Sequence, residues 1–210
     1  MGTESMGLRE SKKQETRQLI SDHATRLFME QGFEQTTIAE IATAARVAKK
    51  TVTNYFPRKE DLALDHHEAF TAALAHAVAG RAEGESPLAA LRREFAAAVE
   101  TCDPVAGFAG PEFARMIAES PTLSARLREL HDLREEALAV ALAAESPAQD
   151  PAVAPRAAAA LLGAAHRLLF QRIQELTLAG EPNARIAAVV APEATYVFDL
   201  LEAGLSAGEG

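Results

Sequence analysis

The sequence predicts an all-α protein of about nine helices, with an N-terminal three-helix domain and a C-terminal helical ligand-binding and dimerisation domain. In most segments apolar residues recur at spacings of three and four, which places them on one face of a helix. No segment shows the strict apolar and polar alternation of a half-buried strand. Several predicted helices begin at a proline, which the first helical position tolerates best.

A stretch near the N-terminus predicts two short helices separated by a tight turn. Either Thr36 or Thr37 caps the first helix, and the second begins at Ala48 or Lys49 and ends before Pro57. Helices this short must pack against a third. Their inward faces contain Ile38, Ile41, Ala42, Ala45, Val52, Tyr55 and Phe56.

The preceding segment supplies the third helix. It is predicted from about Arg9 to Gln31, where Gly32 ends it, and Phe33 adds an apolar plug. Its apolar stripe consists of Ile20, Ala24, Leu27 and Phe28. Together the three helices form a unit that contains a helix-turn-helix.

The outward face of the second short helix predicts DNA binding. Between Arg46 and Lys59 the chain has five basic residues and no acidic one, although its net charge is −9. Hydroxyl and amide side chains in the same stretch can bind phosphate oxygens or base edges, and such a helix fits the major groove. The side chains that carry this prediction are Arg46, Lys49, Lys50, Thr51, Thr53, Asn54 and Tyr55.

Charge is distributed unevenly along the chain. Residues 1–65 hold ten basic and ten acidic groups, which leaves eleven basic and twenty acidic groups in the rest. The negative charge therefore lies downstream of residue 65. This pattern excludes a protein that binds nucleic acid over its whole surface, and it predicts a neutral domain with one basic edge joined to an acidic body.

The string T-x-x-x-I-A-x-x-A-x-V-x-x-x-T-V-x-x-Y-F-x-x-K-E-x-L resembles the DNA-binding domain of the TetR family of bacterial repressors, over roughly residues 10–65. The resemblance implies that Thr37, Tyr55 and Lys59 touch the phosphate backbone and that Lys49–Asn54 faces the bases. The matching residues are Thr37, Ile41, Ala42, Ala45, Val47, Thr51, Val52, Tyr55, Phe56, Lys59, Glu60 and Leu62.

Two positions depart from that family pattern. Arg46 stands where the family has a glycine in the turn, and Ala48 stands where a serine caps the next helix. An arginine in a left-handed backbone conformation costs about 1 kcal/mol, and the missing cap costs about as much. A contact from Arg46 to a phosphate would offset part of this cost.

The predicted domain organisation has four parts: a disordered arm (1–10), the helix-turn-helix domain (11–56), a linking helix (57–80) and the ligand-binding and dimerisation domain (81–207). In the resembling family the tilt of the linking helix carries the signal. The body is predicted to contain helices that open at Pro87 after a Ser86 cap, at Pro111 and at Pro121, followed by a loop over Ser146–Pro155.

The last two helical segments have surplus apolar surface. The first spans Arg156–Leu178; the second either starts at Pro192, with Ile186–Val190 as a separate turn, or runs through Pro192 with a kink. Such helices are central or shared with a second chain, so a homodimer with a four-helix interface is expected, as in the resembling family. The interface is predicted to contain Leu161, Leu168, Leu169, Ile173, Tyr196, Val197, Leu200 and Leu201.

The resemblance also implies a cavity in the body that binds a small-molecule effector. An aromatic content of 5% without tryptophan favours an aliphatic or acyl ligand over a flat cationic one. The predicted pocket residues are Phe95, Cys102, Phe108, Phe113, Met116, Leu130, His131, His166 and Phe170.

Other functional classes have weaker support. Cys102 is the single cysteine, and it fits a reducing compartment; without an apolar run of membrane length, a cytoplasmic location is expected. His66 and His67 are adjacent, which is the wrong spacing for chelation on a helix. We therefore expect no metal, no cofactor and no enzymatic activity, while a redox switch at Cys102 stays open.

Three functions remain as alternatives. The first is a homodimeric repressor that binds an inverted-repeat operator and is released by a small hydrophobic or acyl-type ligand. The second is a DNA-binding activator, or a regulator controlled by a protein partner, with no small-molecule ligand. The third is a helical enzyme or carrier in which the helix-turn-helix domain is vestigial.

Overall fold

The computed structural model describes residues 3–145 and 152–206, and within these ranges it contains ten α-helices, one 3₁₀ turn and no strand. The all-α fold class is thereby confirmed. Among the described residues no helix is long and apolar enough to cross a membrane. The helices are α1 (Thr3–Gln31), α2 (Ile38–Ala44), α3 (Lys49–Tyr55), α4 (Lys59–Ala63), α5 (His67–Ala79), α6 (Pro87–Thr101), α7 (Pro111–Glu119), α8 (Pro121–Ala143), α9 (Ala154–Leu178) and α10 (Asn183–Ser206), with the 3₁₀ turn Pro104–Ala106 between α6 and α7.

The chain divides into two compact units. The first contains the described residues up to Asp65 together with Met116–Arg126, and the second contains His66–Arg115 and the described residues after Arg126. The sequence-based boundaries differ from this division, because they assigned the whole of 81–207 to one domain. Helical periodicity locates the end of a helix, but it does not show which unit the helix packs into.

The first helix starts earlier than expected. Residues 3–10 are helical, in place of the disordered arm predicted for residues 1–10, of which residues 1 and 2 lie outside the described part. Ile20, Ala24 and Phe28 are buried on its inward face and anchor the helix. From that anchor it extends towards the N-terminus through glutamate, lysine, glutamine and arginine, which favour helix.

The predicted linking helix is interrupted. A turn at Leu64–His66 separates α4 from α5, so the described residues contain one helix more than the sequence suggested. Asp65 is held away from helical geometry by α1, because its carboxylate accepts a 2.5 Å hydrogen bond from Ser21 Oγ and its carbonyl accepts one of 3.4 Å from Arg17. Aspartate and histidine are also weak helix formers.

Hydrogen bonds connect the segment Met116–Arg126 to the rest of the first unit. Arg126 donates two hydrogen bonds, of 3.1 and 2.8 Å, to one oxygen of the buried Asp61 carboxylate. Ser120 donates to Glu34 Oε1 at 2.5 Å, and its hydroxyl accepts from the Leu123 N–H at 3.1 Å, which caps the start of α8. Ser120 lowers the pKa of the Glu34 carboxyl, because the hydrogen bond favours its charged form.

The second unit is a helical core formed around α6, α9 and α10. Ser86 caps α6 as expected, since its side chain accepts from the Ala89 N–H at 3.1 Å. The described part of the predicted Ser146–Pro155 loop ends where α9 begins, at Ala154, and residues 146–151 lie outside the described ranges.

The last helix of the second unit is continuous. α10 runs from Asn183 to Ser206 with Pro192 inside it, so the interpretation in which Pro192 starts a separate helix is wrong. A proline inside a helix leaves the carbonyl four residues earlier without its helical donor. That carbonyl belongs to Ala188, which is exposed, so water can satisfy it.

Candidate DNA-binding surface and internal cavity

The turn between α2 and α3 places an arginine in the left-handed region. Arg46 has a φ of 55°, its N–H donates to the Thr43 carbonyl at 3.1 Å, and the Val47 N–H donates to the Ala42 carbonyl at 2.9 Å. These two bonds form the Schellman motif that glycine usually completes. The helix-turn-helix geometry is therefore retained at the cost of a strained arginine.

Thr37 caps α2, so of the two candidate residues Thr36 is excluded. The Thr37 hydroxyl accepts from the Glu40 N–H at 3.2 Å, and the Glu40 carboxylate accepts from the Thr37 N–H at 2.8 Å, which is a capping box. The same hydroxyl donates its proton to Glu40 at 2.8 Å, and these bonds lower the pKa of the Glu40 carboxyl. Thr37 has no hydroxyl proton left for a phosphate while this box is intact.

The third helix presents its basic residues outward. Val52 is completely buried on the inward side of α3, and Phe56 is buried directly after its end. Lys49, Lys50 and Asn54 are exposed, and among the described residues neither lysine forms an ion pair. Of the other predicted DNA-binding residues, Arg46 is exposed, and Thr51, Thr53 and Tyr55 are half-buried.

Lys59 is oriented differently from the prediction. Its ammonium donates to the carbonyls of Phe33 at 2.9 Å, Thr36 at 3.1 Å and Glu34 at 3.4 Å, and it lies 4.1 Å from the centre of the Phe33 ring. An ammonium has three donors, and all three are directed at these carbonyls. Lys59 therefore fixes the loop after α1 and is removed from the proposed phosphate contacts.

Comparison with known proteins assigns this part of the chain. Residues 20–65 match the family model described as bacterial regulatory proteins of the tetR family. The HTH-type transcriptional regulator TcmR of Streptomyces glaucescens is 38% identical over 91 residues, which cover 43% of this chain and 40% of TcmR. Over residues 20–65 the chain is therefore similar to regulators of the tetR family. The match covers less than half of the length of that relative.

Solved structures of bacterial regulatory proteins share the fold. NalD, a secondary repressor of a multidrug efflux pump in Pseudomonas aeruginosa, aligns with a TM-score of 0.51 and 18% identity, covering 89% of this chain and 97% of NalD. A TetR-family regulator from Streptomyces coelicolor A3 aligns with a TM-score of 0.50 and 22% identity, and the alignment covers 88% of this chain and 94% of the regulator. At these identities the likeness establishes the fold alone.

The second unit contains a cavity of about 110 Å³. Three of the predicted pocket residues line it, namely Phe95, His166 and Phe170. The remaining lining residues are Ala73, Leu74, Ala77, Leu91, Glu94, Ala98, Asp103, Val105, Ala106 and Arg134.

The other predicted pocket residues do not line this cavity. Met116 belongs to the first unit, which contains the C-terminal part of α7. Phe113 is half-buried on α7; Phe108 and Leu130 are buried, and Phe108 is part of the apolar core. Cys102 ends α6 with a left-handed φ of 52°, partly buried against the same core.

His131 also lies outside the lining, packed between two aromatic rings. The ring centres of Phe70 and Phe170 are 5.0 and 5.2 Å from that of His131, both edge-on. Burial, with smaller contributions from Arg134 and Arg167, lowers the pKa of His131 to about 4. The ring is therefore neutral at pH 7.

Arg134 is a buried cation among the cavity residues that the sequence analysis did not name. It is only 7% exposed, and its guanidinium lies 4.6 Å from the centre of the Phe70 ring. Its position four residues after Leu130 and four before Leu138 puts it on the apolar stripe of α8. A charged residue within the apolar stripe of α8 was the feature of the sequence that could have identified Arg134 as a cavity residue.

The outward faces of α9 and α10 form an apolar groove of about 520 Å³, lined in part by Leu168, Pro192 and Tyr196. Leu161, Leu168, Tyr196 and Leu200 are 49–70% exposed, whereas Val197 and Leu201 are partly buried against the core. Leu169 also lines the groove but is only 2% exposed, and Ile173 is 0% exposed, so these two side chains offer little surface to a second copy. Adjacent helical positions point about 100° apart, so Leu168 faces outward while Leu169 faces the core.

The strained turn and the uncapped helix predict two stabilising substitutions. Arg46→Gly removes the left-handed strain, and Ala48→Ser supplies the missing cap on α3, which has no side-chain hydrogen bond at its start. Each change should raise the free energy of unfolding by about 1 kcal/mol. Urea denaturation measures both effects. Arg58→Gly, at a position with a φ of −123°, serves as a control that should not stabilise; no gain from Arg46→Gly would show that the arginine is not strained.

The buried histidines predict loss of stability in mild acid. Burial, with a smaller effect of Arg134, lowers the pKa of His166 to about 3, and the pKa of His131 is about 4. Both values lie below the unfolded value of about 6.5, so the unfolded chain binds more protons and stability falls as the pH drops below that value. Each histidine should cost roughly 1.4 kcal/mol per pH unit below about pH 6. His166→Phe should remove its share of that slope in denaturation measured from pH 7.5 to 5, and an unchanged slope would contradict the assignment.

Proposed function

We propose that this chain is a homodimeric transcriptional repressor of the TetR family that binds an inverted-repeat operator and is released by a small-molecule effector. The observation that supports DNA binding most directly is the outward face of α3, where Lys49, Lys50 and Asn54 are exposed. Buried Val52 and Phe56 fix the orientation of that face. The hydrogen-bond donors and positive charge of the exposed lysines and Asn54 suit phosphates and base edges in a major groove.

Four residues complete the proposed contact surface. Arg46 lies in the exposed turn before α3, where its guanidinium can bind a phosphate bidentately. Thr51, Thr53 and Tyr55 are half-buried on the helix, so their polar ends are the parts left for DNA. The Thr53 hydroxyl donates to the Lys50 carbonyl at 3.2 Å, and it must exchange that bond for a contact to DNA.

The apolar groove of α9 and α10 is the proposed dimer interface. Four large apolar side chains, Leu161, Leu168, Tyr196 and Leu200, are about half exposed or more on these helices. Pairing the two helices with those of a second copy about a two-fold axis covers them in a four-helix arrangement. The helix-turn-helix domains of the two copies, related by that axis, would bind the two halves of an inverted repeat.

The cavity in the second unit is the proposed effector site. An effector releases the operator if it binds the conformation that does not bind DNA more tightly than the one that does. A preference of about 1 to 3 kcal/mol is ordinary for coupling between two sites. The effector would be found by screening compounds for thermal stabilisation of the protein together with loss of DNA binding.

Binding to DNA from upstream of the chain's own gene tests the function. Affinity for one inverted repeat should exceed that for a scrambled fragment, and it should fall steeply with salt because bound phosphates release counterions. Lys50→Ala should lower affinity for the preferred site by about tenfold and change the base preference at one position of each half-site. Fluorescence anisotropy from about 50 to 200 mM salt measures both effects.

Arg185→Ala is the matched control for the DNA experiment. It removes one exposed positive charge from α10 in the second unit and should leave operator affinity unchanged. If Lys50→Ala and Arg185→Ala behave alike, the proposed contact face of α3 is wrong.

A charge placed in the groove tests the dimer. Leu168→Asp should convert the dimer to monomer, because an aspartate at a buried interface leaves an unpaired charge in each copy. Val140→Asp is the control, since Val140 is 63% exposed on α8, away from the groove. Sedimentation velocity measures the mass, and a Leu168→Asp protein that remains dimeric would refute this interface.

A further inference from the structure

Arg134 is a buried guanidinium without a carboxylate partner among the described residues. It is 7% exposed, and its Nε has no hydrogen-bond acceptor. Its guanidinium lies over the face of the Phe70 ring in a cation–π contact. Its neighbour Arg167, by contrast, lies 3.2 Å from Glu135 and 3.7 Å from Asp132. A buried charge without a partner is costly, so an anion that completes Arg134 would bind with a clear advantage.

A second unpartnered group lines the same cavity. His166 is 4% exposed, its Nε2 has no hydrogen-bond partner, and its ring is packed edge-on between Phe95 and Phe198 with ring centres 5.6 Å away. Burial, with a smaller contribution from the positive charge of Arg134, lowers the pKa of both His166 and His131, so both rings are neutral at pH 7. A neutral imidazole with its proton on Nε2 can donate one hydrogen bond.

The acidic residues that line the cavity do not supply the missing partner. Asp103 accepts a 2.8 Å hydrogen bond from the Val105 N–H, and Glu94 is exposed and paired with Arg93. Burial alone lowers the pKa of Arg134 to about 10, with no opposing contribution from any carboxylate. The guanidinium therefore stays charged at pH 7 and unpaired.

We propose that this cavity binds the carboxylate of a small organic acid, with the Arg134 guanidinium as its counter-ion and His166 Nε2 as a hydrogen-bond donor. The volume of about 110 Å³ is somewhat smaller than the cavity of about 150 Å³ that accommodates benzene. It therefore fits a carboxylate with a short aliphatic chain, and Phe95, Phe170 and Leu91 supply the apolar wall. This inference extends the proposed function by naming the chemical class of the effector.

Thermal unfolding of the DNA-free protein tests the carboxylate site. Propionate and butyrate are compared with propionamide and butyramide, which have nearly the same shape without the charge, at about 20 mM and constant ionic strength. Both carboxylates should raise the melting temperature and both amides should not. Equal effects of acid and amide, or no effect of either acid, would overturn the proposal, because the site is claimed for the carboxylate group itself.

Variants separate the site from general salt effects. Arg134→Met should abolish the stabilisation by both acids, and without ligand it should unfold at the same denaturant concentration as the parent or higher, since an unpaired buried charge becomes an apolar side chain of similar length. Arg134→Lys keeps the charge without the bidentate geometry and should weaken the acid effect several-fold. Arg185→Met, at an exposed position, should respond to the acids as the parent does.

Two outcomes would refute the role of Arg134. One is an acid effect that persists in Arg134→Met, and the other is a full acid effect in Arg134→Lys if the methionine variant does not fold. The assay contains no DNA, so its failure leaves operator binding to be judged separately. If operator binding fails while the acids still stabilise the parent protein, the proposed function is wrong and the carboxylate site stands.

Discussion

The proposed DNA-binding surface depends on the shortness of the two helices that form it. α2 and α3 have seven residues each, well below the roughly 12 to 15 residues at which an isolated helix becomes marginally stable in water. Both exist because Ile41 and Val52 are buried within the first unit, whose α1 contributes Ile20 and Phe28 to the same core. The direction in which Lys49, Lys50 and Asn54 point is therefore decided by packing on the opposite side of the helix.

Polar groups in the two units fall into those that have partners and those that do not. Thr37 and Lys59 use their hydrogen-bond donors within the protein, and Asp61 and Arg126 satisfy each other in a buried pair. Lys49 and Lys50 on the surface, and Arg134 and His166 in the interior, have donors that nothing in the described residues accepts. Buried groups without partners are rare, which makes Arg134 and His166 strong markers for a ligand.

The sequence predicted features that depend on local chemistry. The helix-turn-helix, the Ser86 cap and the helices opening at proline all follow from residues that are close along the chain. Each is fixed by steric or hydrogen-bonding rules within one turn of helix.

Features that depend on distant packing were not predictable in this way. Periodicity shows that α9 has surplus apolar surface, but it does not show that Leu169 faces the core of its own chain while Leu168 faces outward. The break at Asp65 requires Ser21 on another helix, and the partners of Lys59 lie 23 to 26 residues away. The apolar stripe of α8 could have marked Arg134 in the sequence, but only the fold shows that no carboxylate among the described residues pairs with it.

The division of the first unit into two separated segments has a consequence for synthesis on the ribosome. Its buried Asp61 is paired with Arg126, 65 residues further along the chain, and Ser120 bonds to Glu34 from 86 residues away. A nascent chain that has released only the helix-turn-helix lacks both partners. At about 5 to 20 residues per second, the N-terminal unit waits several seconds for them, and it is completed only after α6 and α7 have been made.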